Sequence, residues 1–193
     1  MKTAIVKYNA GNIRSVAFAL ERLEREGIIT DNPRQIENAE KVIFPGVGEA
    51  SSAMQFLEGK KLDQVIKNLR QPVLGICLGL QLMCEFSEEN HTDCLNLFPA
   101  KVKRFNTNLK IPHVGWNQIY NLRSPLFEGI EKGSFVYFVH SYFAELNQHT
   151  IAETEYGNRF STAIQFNNFT ATQFHPERSG KNGERILKNF LEL

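Results

Sequence analysis

Short apolar runs alternate with amphipathic helical stretches through the first 77 residues, and this alternation limits the fold more than any other feature. Thr3 to Tyr8 reads as a continuous apolar strand ending in the turn residues Asn9, Ala10 and Gly11. From Asn12 to Glu26, residues Ile13, Val16, Ala17, Leu20 and Leu23 recur at helical spacing, and Gly27 is the expected stop. A second strand, Ile28 to Thr30, leads to a short helix opened by Asn32 and Pro33. A third, Val42 to Phe44, runs into a Pro-Gly loop. Helical patterns around Ala50 to Leu57 and Leu62 to Leu69 precede a fourth strand, Val73 to Ile76. A βαβαβαβ series of apolar strands predicts a parallel sheet covered on both faces, a doubly wound α/β fold.

The second half has a different texture. After a helix expected to carry Leu80 to Phe86 and a polar loop from Ser87 to Asp93 come the runs AKVKRF, QIYNL, SFVYFVHSYFA, TIAETEY, STAIQF and FTATQF. Thr, Tyr, Phe and Val dominate them, which predicts an antiparallel extension of the mostly parallel central sheet. A last helix, Gly183 to Leu193, shows Ile186, Leu187, Phe190 and Leu191 on one face and is expected to cap the sheet. With 193 residues, 42% of them hydrophobic, one core and one domain spanning 1–193 are expected.

Composition excludes several classes. The net charge is +1, and no basic run interleaves with aromatics, so no nucleic-acid partner is expected. KVKR at 101–104 alternates with Val102 and Phe105 as a solvated strand face would. The N-terminal apolar run is too short for a signal-peptide core and nothing approaches a membrane span, which predicts a cytoplasmic protein without membrane contact. Cys77, Cys84 and Cys94 form an odd set with no C-x-x-C spacing, arguing against both disulfides and zinc. His91, His113, His140 and His149 are scattered and read as ligands of no metal, and no cofactor is expected.

Three local patterns could carry chemistry together. Cys77 stands where the strand Val73 to Ile76 turns into a helix beginning near Leu78. Gly75 and Gly79 flank it, so the thiol is expected to be exposed and to face the unpaired amides that open the helix. A small apolar cysteine packed under the turn fits the same residues. In FTATQFHPER, His175 and Glu177 are two apart, and Pro176 biases the chain to extended angles that bring them together. A nucleophile, a base and a group that orients the base would then be present. A strand-ending turn with an exposed carboxylate is the plainer reading. PGVG, from Pro45 to Gly48, ends a strand expected beside that of Cys77, so an N–H near Val47 and the amide of Leu78 could hold an oxyanion, though a plain strand-to-helix turn fits the same residues.

LGICLGLQ, FPGVG and FHPE, in this order, resemble the motifs of class I glutamine amidotransferases. YNAGNIRSV, IPHVGWNQI and YFVHSY further resemble the glutaminase subunits of imidazole glycerol phosphate synthases, and the similarity spans nearly the whole chain. The resemblance implies a glutaminase with Cys77 as nucleophile, His175 as acid and base, and Glu177 as its orienting partner. It places L-glutamine against Gly48, Gln81, Glu89 and the backbone of Ser141 and Tyr142. It also implies a heterodimer with a (β/α)8-barrel cyclase subunit, sensed through Asn12, Trp116 and Arg178. Trp116 in the core and Arg178 merely solvated is the bland alternative. Lys7 and Asn9 depart from the family's usual acidic residue and glycine, and Asn9 is expected to carry the left-handed angles of that turn. A paralogue serving another ammonia acceptor, such as one in surface-sugar modification, and a catalytically silent module of the same fold both fit the same residues.

Overall fold

The computed structural model describes residues 2–193. The expected alternation forms β1 (Thr3–Val6), α1 (Ile13–Arg22), β2 (Gly27–Thr30), α2 (Pro33–Glu37), β3 (Lys41–Gly46), α3 (Ala50–Gly59), α4 (Leu62–Lys67) and β4 (Val73–Cys77). Then follow α5 (Leu78–Met83), β5 (Cys84–Ser87), β6 (Thr92–Asp93), β7 (Phe98–Arg104), β8 (His113–Gln118), β9 (Phe135–His140) and β10 (Tyr142–Ala144). The chain ends with β11 (Thr150–Tyr156), β12 (Asn158–Phe166), β13 (Phe169–Thr172) and α6 (Gly180–Glu192).

The central sheet has the order β11-β12-β13-β4-β3-β1-β2. Its strands from β13 to β2 are parallel, and β12 and β11 add an antiparallel edge. Because side chains alternate along each strand, each face receives its own core. Ala4, Val6, Val42, Phe44 and Val73 pack under α2 to α5, and Ile5, Ile43, Leu74 and Ile76 pack under α1 and α6. This is the doubly wound arrangement predicted from the alternation. A second sheet, β10-β7-β5-β6, and the β8–β9 hairpin complete the fold. Lys101 and Lys103 lie on the exposed side of β7, and Lys103 pairs with Glu145 at 2.6 Å. No helix among the described residues is long and apolar enough to cross a membrane.

Several boundaries differ from the sequence pattern for identifiable reasons. Helix α1 stops at Arg22 and not at Glu26, because Glu24 adopts left-handed angles and the Arg25 N–H closes onto Leu20 O at 3.0 Å. Gly27 therefore begins β2. The helix expected through Phe86 ends at Met83. Cys84 is extended, and Cys84 and Phe86 pair with Phe98 and Lys101 of β7, so strand pairing overrides the helical spacing. QIYNL contributes only Gln118 to a strand, with Tyr120 in an isolated bridge to Glu153. The run SFVYFVHSYFA breaks at Ser141 into β9 and β10, which join different sheets. Asn32 caps α2 as expected, accepting from Arg34 N at 3.0 Å.

Candidate active site

The C-terminal ends of β3, β4 and β9 converge on one cavity of about 270 Å³. Register sets Gly46 beside Cys77, so PGVG and the cysteine turn are neighbours. Cys77 itself carries the sharp turn, at φ 54° and ψ −104°, a region a side chain occupies only when the surroundings hold it there. The flanking glycines serve close approach: a Cβ on Gly79 would lie 1.9 Å from Phe44 O, so α5 can seat on β3 only with glycine at that position. The expected exposure of the thiol is not found. Cys77 is 5% exposed, with Sγ 3.7 Å from both Val139 O and Gln173 Nε2, because β9 and β13 close over the turn. Its solvent-facing side is the cavity wall.

Val47, Gly48, Leu78, Gln81, Glu89, Ser141 and Tyr142 line that cavity with Cys77. Sequence reasoning missed the other three wall residues, Pro112, Val139 and His140. Glu89 lies in a 3-10 turn and is held by Ala50 N, the first amide of α3, which donates to its Oε2 at 2.8 Å. Burial raises its carboxyl above the usual range. Gln81 Nε2 donates to Tyr142 O at 2.9 Å and to Gln173 Oε1 at 3.2 Å, which ties α5 to the break between β9 and β10. Val47 O accepts from Gly11 N at 3.1 Å. In a trans peptide, the Gly48 N–H then points away from Gly11.

His175 and Glu177 are both buried, and His175 Nδ1 lies 2.8 Å from Glu177 Oε1. Strand alternation does not bring them together. β13 ends at Thr172, and Glu177 comes round on a 3-10 turn that starts at Pro176, with His175 extended before it. Burial opposes a charge on His175. The Cys77 sulfur and the Glu177 carboxylate beside it outweigh that cost and raise the ring to about 10.

Asn12, and not Asn9, holds the left-handed position in the first turn, at φ 70°. Its side chain caps no helix. Nδ2 donates to Glu177 Oε1, and Oδ1 accepts from Arg178 at 3.1 Å, so the buried carboxylate reaches the surface through two residues. Trp116 is 55% exposed, edge-on to Tyr137, which removes the alternative that places it in the core. Alternation along β8 turns Val114 and Trp116 outward and His113 inward. Cys84 and Cys94 are buried apart from the cavity, and burial pushes the Cys84 thiol well up and Cys94 to about 12.

Residues 5–193 match the family model described as glutamine amidotransferase class-I. The chain is similar to the imidazole glycerol phosphate synthase subunit HisH of Bacteroides fragilis, 57% identical with all of both chains covered. It is also similar to the subunit of that name from Idiomarina loihiensis, 49% identical over 100% of this chain and 98% of the relative. Its fold is similar to the structure of PurLQS from Thermotoga maritima, with a TM-score of 0.75 and 16% identity over 99% of this chain and 97% of that one.

Proposed function

The chain belongs to the class-I glutamine amidotransferase family, and from that membership we propose that it works, as one domain over 1–193, as the glutaminase subunit of an imidazole glycerol phosphate synthase. It hydrolyses glutamine and supplies ammonia to a cyclase subunit in histidine biosynthesis. The observation that carries the residue assignments is that PGVG and the cysteine turn share one cavity wall while His175, backed by Glu177, sits against the Cys77 sulfur.

Glutamine enters with its γ-carboxamide at Cys77. Gly48, Gln81 and the backbone of Ser141 and Tyr142 surround its amino-acid end, and Glu89 supplies the carboxylate suited to its ammonium group. Cys77 gives its proton to His175 and attacks the carbonyl carbon. Backbone N–H groups at Val47 and Leu78 hold the oxyanion, each worth about 3 to 4 kcal/mol in sites of this kind. His175 returns the proton to the nitrogen, the C–N bond breaks, and ammonia leaves a γ-glutamyl thioester. Water then gives a proton to His175 and adds to the thioester. The C–S bond breaks, the sulfur is reprotonated and glutamate departs. Glu177 holds the Nδ1 proton, which leaves Nε2 to serve the sulfur.

The cyclase subunit is a (β/α)8 barrel that seats on Asn12, Trp116 and Arg178, and the complex is cytoplasmic. Incubating the two subunits with amide-15N glutamine and the barrel's substrate tests the assignment: the label must enter the imidazole ring. Hydrolysis of glutamine with the label appearing only in another aminated product would move the chain to a different acceptor.

A further inference from the structure

Two histidines that the reaction does not use meet at the cavity wall. His113 opens β8, His140 closes β9, and the antiparallel register sets them opposite one another. They are 3% and 6% exposed, with His113 Nδ1 3.0 Å from His140 Nε2. The His113 ring stacks on Tyr156 at 3.9 Å and on Phe138 at 4.8 Å, while Phe105 and Phe160 meet His140 edge-on. Enclosed this way, the ring nitrogens depend on protein partners.

The direction of donation along the pair follows from its ends. His140 Nδ1 lies 2.8 Å from Tyr142 O, and a carbonyl only accepts, so the proton is on Nδ1. Burial keeps both rings neutral, with His140 at about 3 and His113 at about 4. The titratable groups facing His140 are His113 and His175, and a proton's charge on either one pushes it further down. A neutral His140 therefore has a bare Nε2, and His113 must donate to it from Nδ1, leaving its own Nε2 bare. Asn117 Nδ2 stands 3.4 Å from that nitrogen. The same atom donates to Glu155 O at 3.1 Å while Asn117 Oδ1 accepts from Gln118 N at 2.8 Å, which fixes the orientation of the amide. At the far end, Gln81 Nε2 and His140 Nδ1 together use both lone pairs of Tyr142 O. That carbonyl has no capacity left for a ligand, and the peptide segment bearing it is held from two sides.

We propose that Asn117, His113 and His140 form a one-directional hydrogen-bond relay whose task is to position the Ser141–Tyr142 segment for glutamine, anchored on the strand that carries the exposed Trp116. All three are positioning residues, and the proposal rests on the glutaminase reading. The relay then governs how well glutamine is held and not how fast its amide is broken.

Substitutions at His113 separate the relay from mere packing. His113→Asn keeps a nitrogen donor at the δ position, whereas His113→Leu fills the space and leaves His140 Nε2 without a donor. In the complex with the cyclase subunit, His113→Leu raises the KM for glutamine about tenfold, the scale of one unsatisfied buried polar group. His113→Asn stays within about threefold of the parent, and kcat and ammonium-dependent synthesis hold within about twofold in both, as loss of ground-state binding requires. Equal KM values in the two variants overturn the proposal. Nitrogen-15 NMR of the unsubstituted complex needs no variant: both rings carry their proton on Nδ1, and a proton on Nε2 of either ring overturns the relay. A parent complex that hydrolyses no glutamine would refute the functional reading, while the tautomer measurement would still decide the direction of the relay.

Discussion

Of the five histidines, three are buried, and they occupy two places that treat a proton in opposite ways. His175 sits between the Cys77 sulfur and the Glu177 carboxylate and is raised to about 10 despite its burial. His113 and His140 sit among aromatic rings with a carbonyl as the terminal acceptor, and burial lowers them to about 4 and 3. Comparable burial thus leaves one ring inclined to keep a proton and the other two inclined to shed it, which suits the roles proposed above of proton carrier and neutral strut. Neighbouring charge decides which, since each opposite charge offsets the desolvation that would otherwise expel the proton. Of these three rings, His175 is the one whose surroundings favour the charged form near neutral pH.

The largest expected effect separates these two places directly. Cys77→Ala or His175→Ala lowers glutamine-dependent turnover of the complex at least about 1,000-fold, Glu177→Gln leaves a measurable residue of it, and His140→Asn, which keeps a δ donor, holds kcat within about threefold. Ammonium-dependent synthesis survives in all four. Comparable losses of kcat at His140 and His175 would erase the distinction between strut and proton carrier.

The next effect concerns the surface that the Glu177 carboxylate reaches through Asn12 and Arg178. The isolated chain has little glutaminase activity, and the loaded cyclase subunit raises it about 100-fold or more, the scale of one oxyanion donor turned into place at PGVG. Trp116→Ala and Arg178→Ala reduce that response while the far-ultraviolet circular dichroism stays the same. Steady-state rates with and without partner measure this, and an undiminished response in both variants clears these residues of the role.

Stability against pH sharpens the same contrast. The folded value of His175 stands above the unfolded value of about 6.5, so its contribution is complete below that pH and is lost as pH rises toward about 10. The other pair acts oppositely. Below about pH 6.5 the unfolded chain binds protons that folded His113 and His140 refuse, so the fold weakens as pH falls toward about 4 for His113 and about 3 for His140. Urea midpoints across this range should show His140→Asn flattening the acid limb and His175→Asn the alkaline limb; the reverse pattern would contradict the assignment of charges.

The smallest effect is expected at Tyr8. Its hydroxyl is buried without a partner against Gly46, where a Cβ would come within 2.0 Å of the oxygen. Tyr8→Phe therefore leaves the stability of the fold unchanged or increases it by about 1 kcal/mol, because an unpaired buried hydroxyl contributes no bond and costs its desolvation. Thermal unfolding of the two proteins side by side checks this.

Much of this was legible in the sequence because it is local. The apolar strands and helical stripes announce the parallel sheet, and the cysteine turn, PGVG and His-Pro-Glu each carry their geometry within a few residues. What escaped depends on distant pairing. His113 and His140 are 27 residues apart and meet only through the β8–β9 register. The break at Ser141 depends on two sheets competing for one apolar run, and β5 forms because β7 is there to pair with it. Burial of the Cys77 thiol follows from β9 crossing the turn, which no motif near Cys77 encodes.

In the proposed reaction Cys77 is the one cysteine that a glutamine-like molecule reaches and reacts with, while burial raises the Cys84 and Cys94 thiols. Treating the complex with a chloroketone analogue of glutamine and mapping the adduct by mass spectrometry tests this most directly. The predicted result is modification at Cys77 alone, suppressed by excess glutamine and absent in His175→Ala on the same time scale; equal modification of all three cysteines, or labelling that glutamine does not slow, would contradict it.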